Sequence, residues 1–116
     1  MPTVRQRQVA KQIRFMLSEL LLRDAKDPRL ALVTITDVTI DRDLAYAEIY
    51  VGAMGAEDRQ REVMEALHHA KGYLRHEIGS RVRLRRTPEL RFHWDASLEH
   101  GERISQLLDM LKDEEE

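Results

Sequence analysis

The chain has 116 residues, 42% of them apolar and 34% charged, with a formal net charge of −2. That length provides for one domain with a single core, and the apolar content excludes a disordered chain. The lack of cysteine excludes disulfides, thiolate metal sites and thiol nucleophiles, and it fits a reducing cytoplasm.

No stretch approaches the ~18 apolar residues of a membrane span, and the start Met1-Pro2-Thr3-Val4-Arg5-Gln6-Arg7 has no signal-peptide core. A cytoplasmic protein without membrane attachment is therefore expected. The near-neutral total hides four blocks. Residues 1–30 carry seven Lys and Arg against three Asp and Glu, and residues 31–67 three against eight. Residues 68–95 again carry seven against three, and residues 96–116 two against seven. Two basic blocks, far apart in sequence, could form one surface if the fold brings them together.

Residues 3–24 read as a first helix, with Val9, Ile13, Met16, Leu17 and Leu20 on one stripe. Thr3 is the expected N-cap, and Asp27-Pro28 closes the segment. Arg5, Arg7, Lys11 and Arg14 crowd the first half. Cations there oppose the helix dipole, so helix stability does not account for them. Residues 32–40 are rich in β-branched residues and read as a strand. Val33 and Ile35 fall on one face and Val38 and Ile40 on the other, which predicts a bulge near Thr36-Asp37. Asp41-Arg42-Asp43 has turn chemistry, and residues 44–51 alternate as a second strand with Ala45, Ala47, Ile49 and Val51 on one face. Tyr46, Glu48 and Tyr50 take the other, half-covered face.

After a connector over 52–58 comes a helix whose apolar residues Val63, Leu67, Ala70, Leu74 and Ile78 keep helical spacing. Gly72 in its middle predicts a kink or a close approach, and Gly79 reads as the C-cap. Arg81, Arg83, Arg85 and Arg86 follow in a strand or loop, with Val82 and Leu84 toward the core. Leu90, Phe92 and Trp94 point inward from a third strand. Ser97 is the expected N-cap of a last helix whose stripe is Ile104, Leu107, Leu108 and Leu111. The order predicts an α+β sandwich over residues 1–112, with 113–116 a frayed acidic end.

No enzyme is expected. Phosphate loops and nucleophile motifs are missing, and the pairs Asp41 with Asp43 and Glu65 with Glu77 lack a pocket context. His68 and His69 are adjacent and point apart on a helix, and His93 with Asp95 is a two-ligand fragment, so neither a metal nor another cofactor is expected. The arginines carry more. Guanidinium groups suit bidentate phosphate contact, and so many close together exceed what local salt bridging to Glu77 and Glu89 requires. The candidate RNA-binding residues are Arg5, Arg7, Lys11 and Arg14, then Lys71 and Arg75, then Arg81, Arg83, Arg85 and Arg86.

In this light the chain resembles the bacterial ribosome-binding factor A family. The resemblance runs through Arg5 to Leu20, Asp27-Pro28-Arg29, Val33 to Thr36 with Val38, Asp43-Leu44, Ala47 with Ile49 to Val51, and Leu67 to Gly79. It continues through Pro88 to Phe92, Asp95-Ala96-Ser97 and Arg103-Ile104. It implies a type II KH-like sandwich: helix, strand, strand, kinked helix, strand and a C-terminal helix. KH domains grip single strands with a Gly-x-x-Gly loop; the resemblance puts an Ala-x-Gly kink there, here Ala70-Lys71-Gly72. It also implies a function. The family is a non-enzymatic assembly factor that binds the free small (30S) ribosomal subunit and assists late 16S rRNA maturation and processing. It acts near the 5′ region of that RNA and supports growth in the cold, with ribosomal proteins and other assembly factors as further partners and a monomer as the default state. Asp41 departs from the serine or threonine common in the family, and the sequence ends soon after the last helix, where some members carry a polar tail. Two other readings stand beside it: a generic KH-like single-strand binder, and a protein adaptor working through the acidic blocks 31–67 and 96–116. The missing Gly-x-x-Gly loop and the shortage of aromatics on a basic face count against the first.

Overall fold

Thr3 and Gln6 fasten the start of the first helix. Thr3 Oγ1 accepts from the Gln6 amide at 3.1 Å, and Gln6 Oε1 accepts from the Thr3 amide at 2.8 Å. This is a capping box, which satisfies two of the amides a helix start leaves unpaired. The helix α1 spans Val4–Arg23, and a 3-10 turn, Pro28–Leu30, follows. Then come β1 (Thr34–Ile40), β2 (Tyr46–Gly52), the long helix α2 (Gln60–Arg81) and β3 (Glu89–Trp94). The computed structural model describes residues 1–23, 27–31, 33–53, 59–97 and 107–112, the last stretch being helical too.

The three strands lie in the order β1-β2-β3, with β1 antiparallel and β3 parallel to β2. A parallel neighbour needs a crossover, and α2 supplies it. The register of β1 against β2 shifts between Ile35 and Asp37, so the bulge lies where the alternation breaks. It keeps Ile35, Val38 and Ile40 on the same buried face. There they meet Ala47, Ile49 and Val51 of β2 and Leu90 and Phe92 of β3. Ile13, Leu17 and Leu20 of α1 and Leu67, Leu74 and Ile78 of α2 close over that face. Each fully buried Leu or Ile contributes roughly 1.5–3 kcal/mol relative to exposure. Gln6 links cap and sheet, its Nε2 donating to the Ile40 carbonyl at 3.0 Å in a buried position.

The turn between β1 and β2 uses Asp41 as a clamp. Its Oδ1 accepts from the amides of Ala45 and Tyr46 at 2.7 and 2.8 Å, holding Leu44 at a φ of 57°. The charge that sets this turn apart thus has a structural use, since an Asp side chain can stand in for a turn acceptor. On the outer face of the sheet the tyrosines are engaged across strands. Arg91 lies 3.8 Å from the Tyr46 ring centre and pairs with Glu48 at 3.2 Å, while His93 contacts Glu48 at 2.5 Å and stacks on Tyr50.

Three expectations are corrected. Gly79 does not cap α2: the helix runs on to Arg81, and Val82, extended, donates to the Ile78 carbonyl at 2.9 Å. Gly79 is where close approach occurs, because a Cβ there would come within 2.6 Å of Thr87 Oγ1, whereas one on Gly72 would meet nothing within 4 Å. Helical structure continues through Gly72, and the close approach offered for that position is made at Gly79 instead. Ser97 is itself helical and so not an N-cap, and Asp95 Oδ1 accepts from its amide at 2.9 Å. The stripe residues Leu107, Leu108 and Leu111 are 59, 56 and 56% exposed. Asp24 at the expected end of the first helix, Leu32 at the start of the first strand, most of the connector, Ile104 and the acidic end 113–116 lie outside the described residues.

Candidate nucleic-acid interface

The segment from Arg81 to Pro88 folds back along α2 because three contacts pin it. Gly79 leaves room for Thr87, Arg75 Nη2 donates to the Thr87 carbonyl at 2.9 Å, and Pro88 is fully buried. Val82 is buried and Leu84 half-buried, so the intervening arginines must point outward. Arg83, Arg85 and Arg86 are exposed and, among the described residues, form no ion pair. Three exposed guanidinium groups without an acidic partner among the described residues raise the local positive potential, and their planar fork suits bidentate contact with an oxyanion.

The same fold-back brings the two basic blocks together. Arg5, Gln8 and Gln12 of α1 face Arg81, Val82, Arg83 and Leu84 across a groove of about 740 Å³. A neighbouring depression on α1, about 570 Å³, is lined by Gln8, Lys11, Gln12, Phe15 and Met16. Arg75 lines a third, about 590 Å³, with Gly72, His76, Gly79, Ser80 and Thr87. Arg7, Arg85 and Arg86 are exposed outside all three. Among the expected cations, four are partly committed to the protein itself. Lys71 pairs with Glu89 at 3.6 Å and Arg81 with Glu77 at 3.5 Å. Arg14 reaches the Ile35 carbonyl at 3.4 Å, and Arg75 is tied to Thr87 as above. The half-exposed pairs are weak, on the order of 1 kcal/mol or less, and a phosphate can displace them.

Sequence reasoning missed Gln8, Gln12 and Phe15. Phe15 is 65% exposed, off the buried stripe of α1 and four residues after Lys11. That spacing, an aromatic beside a cation on the polar face, was the available signal. Away from this surface, Asp27 holds Arg29 by side chain and backbone, with Arg29 Nη2 2.6 Å from Asp27 Oδ2. These hydrogen bonds bring the Asp27 carboxyl from its ordinary 3.8 down to about 2 and raise Arg29. Asp95 is lowered by hydrogen bonds from Thr36 and Ser97. Among the described residues no helix is long and apolar enough to cross a membrane.

Comparison with known proteins places this geometry in a family. The family profile described as ribosome-binding factor A matches residues 5–108. The chain is similar to the ribosome-binding factor A of Halothermothrix orenii, 43% identical over 112 residues, covering 97% of this chain and 92% of that one. It is 47% identical to that of Chromohalobacter salexigens over 103 residues, covering 87% and 79%. The crystal structure of ribosome-binding factor A from Thermus thermophilus superposes with a TM-score of 0.68 at 30% identity, covering 77% of this chain and 93% of that one. A homology model of the Thermus thermophilus factor, fitted into a cryo-EM map of its complex with the 30S subunit, gives 0.59 at 27% identity, covering 83% and 97%.

Proposed function

We propose a function from the premise those matches supply: this chain belongs to the ribosome-binding factor A family. The chain binds the free 30S subunit as a non-enzymatic assembly factor. It contacts 16S rRNA and assists late maturation and processing near the 5′ region, with its greatest importance at low temperature. It works in the cytoplasm as a monomer and leaves the subunit before translation. The observation that carries this reading is the meeting of Arg5 on α1 with Arg81 at the end of α2 and Arg83 just beyond it across one groove, with Lys11 in the adjoining depression. Two basic blocks separated by an acidic one form neighbouring parts of one surface, as a partner with a phosphate backbone requires. Ala70, Lys71 and Gly72, the Ala-x-Gly element, belong to the same reading, with Gly72 opening the depression that holds Arg75.

The test is genetic and biochemical together. Cells lacking the protein should accumulate 16S rRNA with an unprocessed 5′ end and excess free subunits, more severely in the cold. The wild-type chain should restore both, and the Arg83→Glu, Arg85→Glu double variant should restore neither. Normal 16S ends and normal subunit ratios in the depleted cells would overturn the reading.

A further inference from the structure

We propose that the exposed side of α1 carries a track for about two unpaired RNA nucleotides, one base in the groove beside Arg81–Leu84 and the next stacked on Phe15. This rests on the RNA-binding reading above and assigns a separate site within it. The groove and the Phe15 depression share Gln8, Gln12 and Met16, so they form one continuous surface. Their volumes, about 740 and 570 Å³, fall within the roughly 300–1,000 Å³ of small-molecule sites, large enough for one base each.

Chemistry along the track fits a nucleotide at each layer. The groove floor is apolar, with Val9 and Val82 buried and Met16 half-buried, and a thioether adapts its shape to a flat ring. Gln8 and Gln12 are exposed, and each amide offers a donor and an acceptor, the complement of a base edge. Arg5, Arg83 and Lys11 stand at the rim. Among the described residues neither depression has an Asp or Glu in its lining, although the chain has 21 acidic residues. A helical protein partner would not need that exclusion; a phosphate chain does. Phe15 has no place in the core, and an aromatic ring exposed among cations is the platform on which single-stranded bases stack. In a duplex the bases are paired and stacked, so neither ring nor amides could reach them; only an unpaired strand fits.

The test is fluorescence anisotropy on the full chain, with labelled hexa-adenylate as the single strand and a labelled RNA duplex as control. Phe15→Ala should weaken binding of the single strand by roughly 5- to 150-fold, the range that stacking one base represents, and leave the duplex unchanged. Gln12→Glu, on the same exposed face, should do likewise by placing a carboxylate in the track. Arg83→Glu with Arg85→Glu should weaken both RNAs. If Phe15→Ala and Gln12→Glu alter neither RNA, or both equally, the track is wrong and the RNA-binding reading stands. If the wild-type chain binds neither RNA, the RNA-binding reading itself fails and the track fails with it. Groove amides that shift with protein concentration before RNA is added would assign the groove to a second copy and overturn the proposal.

Discussion

Gly79 and Thr87 are in contact across the fold-back that presents the arginines: a Cβ on Gly79 would lie 2.6 Å from Thr87 Oγ1. The two glycines of α2 are therefore opposites. Gly79→Ala should destabilise the protein by about 1–2 kcal/mol, an overpacking cost partly offset by better helix propensity. Adding Thr87→Ala should recover most of that loss. Gly72→Ala has open space around it and should stabilise by up to about 1 kcal/mol. Urea midpoints of the three variants check this, and a Gly79→Ala protein as stable as wild type would remove the contact from the account.

Gln6 serves the helix cap and the sheet at once, and its two halves can be separated. Glu at this position keeps an acceptor for the Thr3 amide but has no donor for the Ile40 carbonyl. Gln6→Glu should therefore cost at least as much as Gln6→Ala, about 1–3 kcal/mol, because it leaves a buried carbonyl facing a second acceptor. Thermal denaturation at neutral pH measures it. A Gln6→Glu variant close to wild type would mean that the cap alone matters.

Asp27 predicts a specific acid limb. Its folded-state pKa of about 2 lies below the ordinary 3.8 of an unfolded chain, so the Arg29 contact adds stability above pH 3.8. That contribution is lost as pH falls through about 2. Asp27→Asn should lower the melting temperature near neutrality, and the gap to wild type should close between pH 4 and pH 2. Asp95, lowered in the same direction, adds to the acid sensitivity of both proteins alike. A gap that stays constant down to pH 2 would contradict the assignment.

Short-range pattern revealed what depends on short-range chemistry. The bulge at Thr36-Asp37 followed from apolar residues changing frame, and the Thr3 cap from a single side chain before a helical stripe. What sequence could not show is partnership at a distance. Gly79 looked like a C-cap because its neighbour Thr87 lies eight residues on, in a segment whose path is set by Pro88 and Arg75. Leu107, Leu108 and Leu111 have core spacing, but periodicity records amphipathicity without saying whether anything covers the face. The arginine surface was readable as two basic blocks. Their meeting across one groove was not, since it depends on how α1 and the end of α2 lie over the sheet.

Co-sedimentation of the full chain with purified 30S and 50S subunits at low and high salt tests the central claim most directly. The wild type should pellet with free 30S subunits, and log affinity should fall with log salt by about 0.7–0.9 per phosphate contact. The Arg83→Glu, Arg85→Glu variant, folded by circular dichroism, should stay in the supernatant. Equal pelleting with 50S subunits, or a double variant that pellets like the wild type, would contradict the account.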